Sequence, residues 1–337
     1  MPDMIETYAY ARAGLIGNPS DGYFGKTISI SVRNFRARVL CYPSANLEIR
    51  ESSIDAPVWS SIDDLREGVK LYGYYGGIRL IRSIIKCFAE YCAENNIKLP
   101  LRNFTIEYES NIPARVGLAG SSAIITATLR AMMCFFHVDI PKEIQPNIIL
   151  RAERDELGIG AGLQDRVIQV YEKMVYMDFD RARMEATGSG IYEPLDPASL
   201  PPLFIAYDTR LGEGSEVFHN NIRERFDRGD PEIIDAMKKF AQFAEDAKDA
   251  LKNGEKDKLG ELMDQNFDLR SSLYRLRESD TNLVKYARLV GASAKFAGSG
   301  GAVIGVYDDK AMLDRLREVY EKIGAEVIVP QIAAPSA

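Results

Sequence analysis

From Thr27 to Val32 the chain alternates hydroxyl-bearing and β-branched apolar residues, Thr-Ile-Ser-Ile-Ser-Val. That period of two predicts a half-buried strand. Tyr8–Ile16 predicts a strand before it, with the turn cluster Gly17-Asn-Pro-Ser-Asp-Gly22 between them. Ala37–Tyr42, Ala45–Arg50 and Phe104–Glu109 read as further strands. Helical spacing appears in Gly77–Ala93, through Ile78, Ile81, Ile84 or Ile85, Phe88 and Tyr91. A helix is also expected from about Ala123 to Phe136, and another over Pro141–Leu157, which ends in Gly158-Ile-Gly-Ala-Gly162. Gln164–Tyr171 and the apolar Met174–Asp178 follow.

The polar, proline-rich stretch Pro194–Pro202 precedes a new apolar strand, Leu203–Tyr207. A domain boundary is expected there, giving an N-terminal domain over 1–200 and a C-terminal domain over 201–337. Beyond it, Pro231–Leu251 is amphipathic through Ile234, Met237, Phe240 or Ala241, Ala244, Ala247 and Leu251, and a second helix is expected over Lys256–Leu276. Ala302–Tyr307 and Glu326–Val329 read as strands around a helix, Lys310–Ile323. Hairpin-like β structure early and paired long helices later indicate an α+β fold, not a doubly wound sheet.

Composition removes several function classes. The 337 residues carry a net charge of -7 with no cluster of Lys and Arg, so neither nucleic acid nor an anionic membrane is an expected partner. The four cysteines, Cys41, Cys87, Cys92 and Cys134, form no C-x-x-C pair and read as reduced core residues. Two distant histidines, His137 and His219, supply few parts for zinc chemistry or a Ser-His-Asp triad. Met-Pro-Asp-Met-Ile-Glu has no basic start or apolar core of a secretory signal, and Ser122–Phe136 is interrupted by Arg130 and too short to span a bilayer. A cytoplasmic location is expected; the oligomeric state is left open.

The strongest chemical signal is Pro113-Ala-Arg-Val-Gly117-Leu118-Ala119-Gly120-Ser121-Ser122-Ala123, a small-residue loop opening into a helix. Glycines admit a bulky anion close to the backbone. The unpartnered first-turn N–H groups and the helix dipole add a positive end. Ser121 and Ser122 can cap the helix or meet a phosphate or Mg²⁺; a plain capped helix is the competing reading. Gly25-Lys26-Thr27 imitates the end of a Walker A loop, but Ser20 stands where that pattern needs glycine, and Thr27 opens a strand. A second glycine run, Lys295-Phe-Ala-Gly298-Ser299-Gly300-Gly301, precedes a strand and is by itself only a turn. Asp165 follows a glycine-rich turn, where a carboxylate can approach a substrate or cap a helix, and Glu153 lies upstream.

Taken in order, these segments resemble the GHMP kinases. Ala11-Arg12-Ala-Gly-Leu-Ile-Gly17-Asn18 matches that family's first motif, Pro113–Ala123 the second and Lys295–Gly301 the third. The resemblance narrows to the plant-type glucuronokinase group over nearly the whole chain, through Gly17–Ser29, Gly73–Leu80, Gly162–Val167 and Asn266–Arg270. Arg115-Val116, Asp264 and Ser271 depart from that group's pattern.

The resemblance implies a two-domain α+β fold with ATP and acceptor in the cleft between domains. It implies ATP and Mg²⁺ as cofactors and a small sugar or uronic acid as substrate, phosphorylated on its anomeric hydroxyl. Pro113, Gly117–Ala123, Gly298, Ser299 and Gly300 would bind ATP, and Ser122 and Glu153 would hold Mg²⁺. Asp165 would be the catalytic carboxylate, with Arg12 near it stabilising the transferring group. Asn18, Asp21, Tyr75, Arg79 and Arg270 are the acceptor candidates, the arginines because a planar guanidinium matches a carboxylate. A kinase for another sugar, uronic acid (such as galacturonate) or polyol is the competing reading. A non-catalytic ATP and sugar sensor on the same fold is a third.

Overall fold

A computed structural model of the chain describes residues 4–52, 62, 76–209 and 216–332. In chain order the elements are β1 (Ile5–Ile16), β2 (Lys26–Ser44), β3 (Glu48–Ile49), α1 (Gly77–Glu94), β4 (Asn103–Ser110), α2 (Gly120–Phe136), α3 (Gln145–Arg154), α4 (Leu163–Tyr171) and β5 (Met174–Asp178). Then come α5 (Arg181–Thr187), β6 (Ile191–Leu195), β7 (Leu203–Tyr207), α6 (Glu216–Asp227), α7 (Pro231–Asn253), α8 (Lys256–Leu273), α9 (Glu278–Leu289), β8 (Ser293–Phe296), β9 (Ala302–Val306), α10 (Lys310–Lys322) and β10 (Glu326–Ile328).

The chain folds into two compact units, each discontinuous in sequence. One holds residues 1–11, 35–112 and 119–170; the other holds 12–34, 113–118 and 171–337. In the first unit, Ala37–Ser44 of β2 pairs antiparallel with β4, and β3 joins β4 in parallel. α1 packs against α2 and α3. Phe104 meets Phe135 edge-on at 5.2 Å, and Phe88 stacks on Phe136 at 5.8 Å. Such aromatic pairs add about 0.5–1.5 kcal/mol each to their area burial.

In the second unit, Lys26–Ile30 of β2 pairs antiparallel with β5, and β5 with β6. A separate antiparallel sheet runs in the order β10-β7-β9-β8. α8, α9 and α10 pack on that sheet. The core there is built from Phe204, Phe267, Val303, Leu316 and Tyr320 among others. α7 begins with Asp230 capping the Glu232 N–H and Pro231 at the first helical position, and stops at Gly254 in the left-handed conformation. Its buried stripe is Ile233, Met237, Phe240, Ala244, Ala247 and Leu251. Ile233 is fully buried and Ile234 only half-buried, where the sequence suggested Ile234.

Three element boundaries differ from expectation. The two strands expected over Thr27–Val32 and Ala37–Tyr42 are one 19-residue strand, β2. Its polar middle is held by partners remote in sequence: Arg33 N–H donates to the Gln331 carbonyl, and Asn34 exchanges hydrogen bonds with Val329 and Gln331. The helix expected over Pro141–Leu157 forms only over Gln145–Arg154. Pro146 has no N–H to give an upstream carbonyl, so it fits only in a first turn. Ala45–Arg50 contributes just the two residues of β3, Glu48–Ile49.

Candidate active site

In the first unit two of the candidate residues, Glu153 and Asp165, meet one arginine, and Ser121 bonds Glu153. α2 starts after Ala119, which takes a left-handed φ of 61° and offers no capping side chain. The first-turn N–H groups of α2 therefore carry the positive end of the helix without a side-chain cap. A Cβ on Gly120 would come no closer than 3.5 Å to Ile112, so packing does not demand glycine there. Its missing side chain leaves the entrance to the helix open. The left-handed Ala119, which costs roughly 1–2 kcal/mol, is held by Gln169, whose amide donates to the Ala119 carbonyl at 2.8 Å.

Ser122 is buried and its hydroxyl donates back to the Ala119 carbonyl at 3.2 Å. The neighbouring Ser121 instead donates to Glu153 Oε1 at 2.8 Å. Glu153, in the last turn of α3, is fully buried. Its Oε2 accepts from Nε of Arg166 at 2.6 Å and also from Nη2. Arg166 Nη1 donates to the Gly162 carbonyl at 2.8 Å and lies 3.3 Å from Asp165 Oδ2. Asp165 stands in the first turn of α4, with 18% of its side chain exposed. Two serine hydroxyls and a carboxylate make a hard oxygen donor set, which fits Mg²⁺. The structure hydrogen-bonds Ser121, not Ser122, to Glu153.

The second unit gathers the two glycine segments. Arg12 is buried, and its Nη1 donates to the carbonyls of Gly117 at 2.5 Å and Ala297 at 3.2 Å. Gly117 has φ +69°, and a Cβ there would fall 2.7 Å from the Gly300 carbonyl oxygen. A Cβ on Gly298 would fall 2.3 Å from the Gly117 carbonyl oxygen. The two loops thus touch backbone to backbone. Asp280 accepts from the Gly301 N–H at 3.1 Å and from Arg277 at 2.9 Å, which fixes the turn. Pro113 and Ser299 lie in the same pair of loops; Leu118 is buried below them.

Arg270 is buried, and donates to the Gly298 carbonyl at 2.8 Å and the Ser299 carbonyl at 3.2 Å. Its Nε is buried without a hydrogen-bond partner. Asn266 binds the turn after β1, accepting from Gly17 N–H at 2.8 Å and donating to the Asn18 carbonyl at 3.1 Å. Asn18 Oδ1 is likewise buried without a partner. Asp21 is half-buried in the short helix Ser20–Tyr23. Arg79, half-buried, is in the first turn of α1, while Tyr75 lies outside the described residues.

Lys295 is fully buried, and its Nζ donates to the carbonyls of Gly14 at 2.7 Å and Phe296 at 2.8 Å. Burial, then repulsion from Arg270 and Arg12, pushes it well below the ordinary lysine value of 10.5. Between the lowered value and 10.5 the unfolded chain binds a proton that the folded chain has shed, so stability rises with pH across that window. Lys295→Met removes this dependence. In urea unfolding, the stability of the wild type relative to the variant should climb by up to about 1.4 kcal/mol per pH unit within the window. A flat difference between about pH 7 and about pH 9.5 would sink the argument.

Arg166, Gln169, Asp280 and Asn266 were not singled out by role in the sequence. Signals were there for three of them: Asp165 and Gln169 are one helical turn apart, Arg166 adjoins Asp165, and Asn266 opens the matched segment Asn266–Arg270. Elsewhere among the described residues, Cys87, Glu90 and Glu156 bring ligand atoms close together. Lys86 and Arg151 already pair with those carboxylates, at 2.6 Å to Glu156 and 2.7 Å to Glu90. Burial pushes the thiols of Cys41 and Cys87 up to about 12 and about 11, so both are protonated at neutral pH. No helix among the described residues is long and apolar enough to cross a membrane.

Residues 79–173 match the GHMP kinases N terminal domain, and residues 247–325 the GHMP kinases C terminal domain. Glucuronokinase 1 of Arabidopsis thaliana is 45% identical over 306 residues, covering 89% of this chain and 84% of that protein. Probable glucuronokinase 2 of the same plant is 44% identical over 308 residues, with the same coverage. Among solved structures, Streptococcus pneumoniae phosphomevalonate kinase in complex with phosphomevalonate and AMPPNP superposes with a TM-score of 0.74 at 15% identity, covering 98% of this chain and 100% of that one.

Proposed function

The chain belongs to the GHMP kinases, and we propose that it transfers the γ-phosphoryl group of ATP to the anomeric hydroxyl of D-glucuronate, giving D-glucuronate 1-phosphate and ADP. The observation that carries this reading is the 45% identity, over 89% of the chain, to a protein named as a glucuronokinase. The presence of Asp165, Glu153 and Ser122 weighs against a sensor that binds without turnover.

The nucleotide phosphates lie on the loop Gly117–Ala123 and on Gly298–Gly300, held by backbone N–H groups and the N-terminal end of α2. Ser122 and Glu153 would hold Mg²⁺, with Ser121 as a further oxygen donor; the ion would supply charge neutralisation for the phosphate oxygens. The sugar hydroxyl oxygen attacks the γ-phosphorus, the bond from that phosphorus to the β–γ bridging oxygen breaks, and Asp165 receives the hydroxyl proton. Arg12 stabilises charge on the transferring group. The transition state is loose, so these residues act mainly by position and electrostatics.

For the acceptor, Asn18 Oδ1 and Asp21 take hydrogen bonds from ring hydroxyls, and Tyr75 adds a contact of the same kind. Arg79 faces the carboxylate. Arg270 acts through the carbonyls of Gly298 and Ser299 and has Nε–H left for an acceptor oxygen. We place the N-terminal domain at 1–200 and the C-terminal domain at 201–337; the two family matches fall on either side of that boundary. A cytoplasmic location is supported by four free cysteines.

The test is ADP release from ATP and Mg²⁺ with D-glucuronate, D-galacturonate, galactose, glucose, mevalonate or myo-inositol, with the product identified by NMR. Selective conversion of D-glucuronate to its 1-phosphate is expected. Turnover of another acceptor alone would keep the kinase and reject glucuronate.

A further inference from the structure

We infer that Arg166 is a positioning residue that fixes Glu153 as a one-oxygen metal ligand and ties it to the base, Asp165. The inference rests on the kinase reading and goes beyond it, because that reading gives Arg166 no part. Glu153 is fully buried, and its two oxygens have unlike partners. Oε2 takes both Nε and Nη2 of Arg166, a planar fork that holds one geometry. Oε1 takes the Ser121 hydroxyl at 2.8 Å, a donor that can rotate away and become an acceptor or ligand itself. Oε1 is therefore the oxygen able to exchange its partner for a divalent ion, while Oε2 stays held.

The same guanidinium is anchored at 2.8 Å to the Gly162 carbonyl and lies 3.3 Å from Asp165 Oδ2. Rotating it would move both carboxylates. Its charge also opposes a nearby dication. Arg166 thus lowers the affinity of the site for the metal while fixing where the metal ligand points. An ordinary structural ion pair would do neither, and its loss would weaken metal binding and turnover together.

Arg166→Met and Arg166→Lys separate these cases. Titration calorimetry with AMPPNP, once in Mg²⁺ and once in EDTA, gives two dissociation constants whose ratio is the metal's contribution to binding. For Arg166→Met that ratio should rise about tenfold, as an opposing charge is lost. Turnover of ATP with D-glucuronate should drop more than about thirtyfold, as a misplaced ligand requires. Arg166→Lys should hold the ratio within about threefold of wild type, because the charge is kept, while turnover stays low, because an ammonium lacks the planar fork that fixes Glu153. If Arg166→Met melts below assay temperature, Arg166→Gln carries the same test, with a donor but no charge. A ratio that falls with turnover in Arg166→Met, or stays unchanged there, overturns the inference, as does an Arg166→Lys ratio like that of the neutral variant or an Arg166→Lys turnover close to wild type. Wild-type protein that binds AMPPNP but does not phosphorylate D-glucuronate defeats the glucuronate reading alone, and the ratio still decides the role of Arg166. Wild-type protein that binds no AMPPNP overturns both.

Discussion

Replacing Asp165 by asparagine lowers turnover with ATP and D-glucuronate more than about a hundredfold, the range lost when a positioned acid–base group is removed. Asparagine has nearly the same size and shape, so the first turn of α4 stays intact. It cannot take the hydroxyl proton, and its neutral amide no longer attracts Arg166, whose Nη1 lies 3.3 Å from the carboxylate. The Arg166 fork remains on Glu153, so that carboxylate should keep its orientation. Binding of Mg-AMPPNP is therefore expected to stay within about threefold of wild type. The measurement pairs a coupled ADP assay with calorimetry on the same preparation. Near-wild-type turnover would remove Asp165 from the chemistry, and a parallel collapse of nucleotide binding would assign it to the fold instead.

Gly298→Ala is the second large effect. The added Cβ would lie 2.3 Å from the Gly117 carbonyl oxygen and 2.9 Å from Arg12 Nη1. A guanidinium can shift, but a backbone carbonyl in a loop with φ +69° moves only with the loop. Gly117 itself sits against Gly300, so the displacement passes from one glycine loop to the other. We expect kcat/KM for ATP to fall between about tenfold and about a hundredfold, since misplacement by about an ångström costs on that scale. Unfolding should become easier by about 1–3 kcal/mol, as for other overpacked sites. Steady-state kinetics in ATP and a thermal melt check both. Unchanged kinetics would mean that the two loops are not required to touch in the working enzyme.

The regular elements were legible where one periodicity decided them. α2, β5 and β7 fall where their apolar runs predict, and α7 is displaced only in which isoleucine it buries. Two of the misses share a cause: local pattern does not carry partners remote in sequence. The polar Arg33–Arg36 looked like a break in β2, because nothing nearby says that Gln331 and Val329 will receive it. β8 was invisible as a strand, since Ser-Ala-Lys-Phe reads as polar until Lys295 is seen buried on two carbonyls. Pro146 did announce the start of α3, and the reading that began the helix at Pro141 overlooked it. At the site, motif order brought out the glycine loops, Glu153 and Asp165. It gave Arg166 no role although Gly162–Val167 contains it, and it said nothing of Gln169 or Asp280, which act on groups already chosen and carry no motif of their own.

The second compact unit draws Arg12–Asn34 and Pro113–Leu118 out of the N-terminal part of the chain. A fragment starting near residue 201 would therefore be missing inner pieces of its own body. Its β8–β9 turn would lose the Gly14 N–H that binds the Ala297 carbonyl at 2.7 Å, and Lys295 would be left facing the place of an absent Gly14 carbonyl. Halves expressed separately should be insoluble alone and recover only when mixed. A circular permutant that keeps every segment should fold as one piece, and protease nicking between the family-matched segments need not release either half.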